Sequence, residues 1–128
     1  MGVIRIDIEK PTQEFEIGGE IYTARWDDDT LLELERKFAK YNEMAMQSSK
    51  LDVSKLSYEE QQRIRTEQLK VIEELLDTLF GEGSYKKIYE STHRSMVNLG
   101  KVIEVVMEFV VEKIQLKKQS AREKYVKK

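Results

Sequence analysis

The stretch Met96–Leu116, MVNLGKVIEVVMEFVVEKIQL, restricts what this chain can fold into more than any other. Its spacing predicts one long helix. Val102, Val106, Phe109 and Val110 fall on one side, and Ile103, Met107, Val111 and Ile114 continue the apolar surface around the cylinder. One narrow polar stripe interrupts it: Lys101, Glu104, Glu108, Glu112 and Gln115. A helix at the surface of a small domain needs only one apolar stripe. Two or three short partner helices would not cover this much apolar surface. The stretch is therefore expected to be the central helix of a helical domain that also meets something else, either a copy of itself or a client. Three glutamates and two lysines within it argue against a membrane span, because charge inside a bilayer is costly.

At 128 residues the chain has the length of one domain and can bury a core without staples. Charged residues make up 36% and hydrophobic ones 40%, the balance of a globular protein rather than a disordered one. With no cysteine there is no disulfide, thiolate metal site or cysteine nucleophile, and the single His93 rules out a multi-histidine metal site. The opening residues MGVIRIDIEK alternate and hold no long apolar run, so no signal peptide is expected. The net charge of −2 is unevenly spread: residues 117–128 hold six basic residues against one acid, a net of +5 on a body of −7. Such a tail could bind nucleic acid or an anionic partner, or could simply be a solvated helix end whose lysines complement the dipole.

The expected fold is α+β and mostly α, with a small N-terminal antiparallel β element packed on a helical bundle that ends in a long C-terminal helix. A single domain, 1–128, divides into a β element at 1–26, helices at 30–47, 58–80, 85–92 and 95–120, and a basic tail at 117–128. Val3–Ile8 alternates and reads as a strand, with Ile4, Ile6 and Ile8 on one face. Gly18-Gly19 between two alternating runs predicts a two-residue hairpin turn. That register sets Ile17 opposite Glu20 and Phe15 opposite Tyr22. It gathers Phe15, Ile17, Tyr22, Ala24 and Trp26 on one face, where Trp26 is expected to be substantially buried.

Asp27-Asp28-Asp29-Thr30 could suggest a metal site, but it reads more plainly as a helix start, with Thr30 and Glu33 as a capping box. Leu31, Leu34, Phe38, Tyr41 and Ala45 then make an amphipathic stripe. Ser57 and Glu60 form a second box before a helix that turns Ile64, Val71, Ile72, Leu75, Leu76 and Leu79 to the core. Gly81 suits the position after that helix, and Ser84 the cap of a short helix with Tyr85, Ile88 and Tyr89 inward. Gly100, costly inside a helix, suggests a close helix crossing.

No nucleophile and base can be brought together from these residues, and the glutamates at 104, 108 and 112 lack the Glu-x-x-His partners of a bundle metal site. No enzyme and no cofactor are expected.

The order of elements carries a resemblance. A hairpin holds F-x-I-G-G-x-x-Y (Phe15–Tyr22). An acid-capped helix follows with Asp28-Asp29-Thr30-Leu31-Leu32-Glu33-Leu34, then a helix ending LLDTLFGEGSYKKIYE, and last a long helix rich in valine, methionine and isoleucine. Across roughly Glu14–Lys118 this layout resembles the tail assembly chaperones of long-tailed bacteriophages (the siphovirus type) or related prophages of Gram-positive hosts. The resemblance implies a small protein of the host bacterial cytoplasm, absent from the mature virion. It would bind the tape measure protein, and possibly the tail tube protein, and keep it soluble during tail assembly. It also implies self-association, no membrane, and in many phages a frameshifted longer product. The family has no agreed catalytic residues to carry over. The candidate partner-binding residues come from the long helix itself: Val105, Phe109 and Leu116 along one line, and in addition Met107 and Val111. Two other readings are a head–tail connector or completion protein that stays in the particle, and a nucleic-acid-binding regulator using the basic tail. Against the regulator, Glu33, Glu35, Glu73 and Glu74 break up any basic recognition face.

Overall fold

The computed structural model describes residues 2–126, with side chains through Ser120. Two strands, β1 (Thr12–Ile17) and β2 (Glu20–Arg25), precede four helices: α1 (Asp28–Ser49), α2 (Tyr58–Phe80), α3 (Ser84–Ser91) and α4 (Met96–Val126). A 3-10 turn at Val53–Lys55 lies between α1 and α2. The architecture is α+β and mostly α, with 68% of the chain helical.

The hairpin forms in the expected register, Phe15 opposite Tyr22 and Ile17 opposite Glu20. Gly18 and Gly19 take φ of 60° and 85°, as a turn with two left-handed positions requires. Its inner face joins a core supplied mainly by the helices. Tyr22 and Ala24 pack with Leu31, Leu34 and Phe38 of α1, with Ile72, Leu75, Leu76 and Leu79 of α2, and with Ile88 of α3. Leu99, Ile103, Val106 and Val110 of α4 complete it. An aromatic chain fixes the hairpin to the bundle. Phe15 meets Phe109 and Phe80 edge-on at 5.2 and 5.6 Å, and Tyr22 meets Phe80 at 5.7 Å. Such pairs add to the stabilisation from area burial alone.

Several expectations are corrected by the structure. Val3–Ile8 is not a strand: among the described residues no strand lies beside it, and its aliphatic side chains are open to solvent. The cap of α1 is Asp27, not Thr30: its carboxylate accepts from the Thr30 amide at 3.3 Å and from the Thr30 hydroxyl at 2.7 Å. Three residues into the helix, Thr30 is a donor to the cap, and the aspartates at 28 and 29 occupy the first turn, near the positive end of the dipole. The stripe of α1 ends early, with Tyr41 half-buried and Ala45 exposed, and the helix runs on to Ser49. Ser57 does cap α2, accepting from the Glu60 amide at 3.1 Å.

Ser84 caps nothing, because it is already the first residue of α3. Gly83, with φ of 88°, stands at the cap position, and Asp77 of α2 accepts from the Tyr85 amide at 2.9 Å instead. Trp26 is substantially though not fully buried, as expected, packing against the core with the Lys113 ammonium 4.6 Å from its ring centre. Gly100 marks no close crossing: it is exposed, and an added Cβ would meet nothing within 4 Å. The basic tail is no separate element through Val126, since α4 continues into it. Residues 127–128 of that tail, and the side chains beyond Ser120, lie outside the described residues.

Candidate functional site

Among the described residues no group of three or more acidic or histidine side chains is placed to hold a metal ion, and no helix is long and apolar enough to cross a membrane. Among the helices, exposed apolar side chains are concentrated on the surface of α4.

The inward line of α4 is Leu99, Ile103, Val106 and Val110, each essentially inaccessible. Apolar side chains continue on both flanks of this line. At about 100° per residue, Val105 and Leu116 stand about 20° apart on one flank, while Val111 lies about 120° from Val105 on the other. The five candidate residues therefore do not make one surface. Val105 and Leu116 are 57% and 49% exposed on the hairpin side. Phe109, between them in sequence, is half-buried against Phe15 and serves the joint between hairpin and helix. Met107, half-buried, and Val111, 43% exposed, lie on the opposite flank.

Two shallow grooves flank the hairpin. One, of about 290 Å³, lies between β1 and α4 and is lined by Phe15, Ile17, Val102 and Val105. The other, of about 410 Å³, is bounded by Trp26, Leu31, Lys113 and Leu116. On the far flank Met107 and Val111 form an apolar strip set among Glu104, Glu108, Glu112 and Gln115. That strip suits an apolar side chain with a positive charge beside it. Sequence periodicity could not find the grooves, because each needs the hairpin and α4 together. The far strip was open to a count of apolar positions in α4.

Charges brace the surroundings. Lys117 and Lys118 reach Asp28 and Glu35 of α1 at 3.8 and 2.8 Å, so the start of the basic segment is partly engaged within the fold. Glu74 of α2 lies between Lys37 and Lys40 of α1 at 3.6 and 3.4 Å. Burial pushes its carboxyl up, but the two ammonium groups outweigh burial and hold it below its ordinary value. At the α3–α4 joint, His93 and Arg94 both take left-handed backbone, with φ of 59° and 56°. Their amides donate to Glu90 and Tyr89 carbonyls, and Arg94 pairs with Glu90 at 3.0 Å and lies over the Tyr89 ring. His93 is thus part of a helix-ending turn.

The described surface is thus that of a helical body with an aromatic-locked hairpin and exposed aliphatics on two flanks of its last helix. The chain belongs to a family of unknown function, DUF6673, whose model matches residues 24–128. The match covers all four helices and leaves residues 1–23 outside. No curated protein and no solved structure matches the chain.

Proposed function

We propose that this protein is a phage tail assembly chaperone, a non-catalytic binding module that holds the tape measure protein, and possibly the tail tube protein, in soluble form until the tail assembles. The observation that carries the reading is the exposure of aliphatic residues on both flanks of α4 while its inward line is already fully buried. Single exposed aliphatics are ordinary on a protein surface. Here Val105 and Leu116 lie along one flank and Met107 with Val111 along the other, and apolar strips of this kind on one helix support a docking surface. An amphipathic client helix would lay its apolar face along Met107 and Val111, with basic side chains meeting the neighbouring glutamates. The resemblance in layout supports the same reading, and a chaperone of this kind would work in the host cytoplasm.

Co-expression with the tape measure protein tests it. The client should be insoluble alone and soluble with this chain, and mass spectrometry of purified virions should not find the chain. A client equally insoluble with and without it would overturn the reading. Stoichiometric presence in the particle would favour a head–tail connector instead.

A further inference from the structure

The segment Gly2–Lys10 has no regular structure, and every residue in it is exposed. Val3, Ile4, Ile6 and Ile8 are 95%, 88%, 77% and 87% accessible. It nonetheless has the alternation of a half-buried strand. β1 begins only at Thr12, after Pro11, which has no amide hydrogen to donate.

We propose that this arm pairs with the same arm of a second copy, as an antiparallel ribbon about a two-fold axis at Ile6. The sequence is self-complementary in that register. Ile4 faces Ile8, Ile6 faces its own copy, and Arg5 faces Asp7 on both sides of the axis. Opposed residues in an antiparallel pair share a face, and opposite charges placed directly across stabilise it. Neighbouring registers fail. A slip of one sets isoleucine against aspartate or arginine on a single face. A slip of two brings Arg5 against Arg5 or Asp7 against Asp7 at the axis. Only the register centred on Ile6 keeps the isoleucines together and pairs every charge from Ile4 to Ile8. The contact is isologous and so closes at two copies. A bare two-stranded ribbon is marginal in water, so its six-isoleucine face closes on the bodies it joins. The proposal does not rest on the client-binding reading and is tested without a client.

Light scattering on the full chain tests the pairing. The wild type should have twice the 15.1 kDa chain mass. Arg5→Asp alone, or Asp7→Arg alone, sets like charges across the ribbon twice, and each variant should dimerise at least tenfold more weakly with an unchanged circular dichroism spectrum. Mixing the two variants in equal amounts restores opposite charges at every cross-pair, as does the double variant within one chain, and both should recover the dimer. A monomeric wild type at about 0.1 mM would overturn the proposal. So would single variants that dimerise like the wild type, or a mixture that stays monomeric.

Discussion

Gly18 meets two constraints at once. Its φ of 60° belongs to the left-handed region, and a Cβ there would lie 2.6 Å from the Ser91 Cβ at the end of α3. Gly19 shares only the first constraint, since a Cβ there meets nothing within 4 Å. Asparagine tolerates left-handed backbone, so it separates the two effects. Gly19→Asn should change stability by less than about 1 kcal/mol, whereas Gly18→Asn should cost about 1–3 kcal/mol by overpacking. Adding Ser91→Gly should recover much of that loss in urea unfolding. The turn itself was legible in the Gly-Gly pair. The Ser91 contact was not, because it joins residues far apart in sequence.

Asp27 shows the same limit at short range. The acidic run announced a helix start, but which residue caps it depends on backbone direction. The Thr30 hydroxyl hydrogen bond holds the Asp27 carboxyl below its ordinary value, ahead of the opposing effect of burial. A lowered folded value means stability present above the unfolded value and lost as pH falls through the folded one. Asp27→Asn keeps a capping oxygen without the charge. It should therefore melt below the wild type at about pH 6, and the gap should narrow as pH falls below the ordinary carboxylate range.

Among the elements, α2 matched its expected bounds because a cap signal, a long apolar period and a terminal glycine agreed. The first segment failed because alternation reports only a tendency to pair and cannot supply a partner. Val3–Ile8 has strand spacing without a strand neighbour in its own fold. In α4 the apolar excess was legible, but not which flank the hairpin covers, where Phe109 packs on Phe15. Gly100, read as a crossing point, lies on the open side of that helix. Gly100→Ala should therefore raise stability by about 1 kcal/mol, through helix propensity and a less flexible unfolded chain. Thermal or urea unfolding would show this as a higher midpoint, and a fall would reveal a packing role for the glycine.

At the scale of the whole molecule, the hairpin closes one side of the bundle and leaves α4 apolar on two flanks. The candidate site was only partly legible: Val105, Val111 and Leu116 are accessible as a binding surface needs, while Phe109 is used within the fold. Fully burying a valine contributes about 1.5–3 kcal/mol, of which the exposed 43% of Val111 can supply about 1 kcal/mol; a glutamate there must in addition be desolvated against the apolar client face, and about 1.4 kcal/mol in all is tenfold in affinity. Capture of the tape measure protein by Val111→Glu, compared with wild type at equal concentration, tests the proposed client binding. Val111 is 43% exposed, so the variant should keep its fold. It also adds a fourth acid beside Glu104, Glu108 and Glu112, so any loss must come from the apolar contact rather than from lost negative charge. The variant should show an unchanged circular dichroism spectrum and retain at least tenfold less client. A folded variant that retains the client as the wild type does would contradict the proposed client binding.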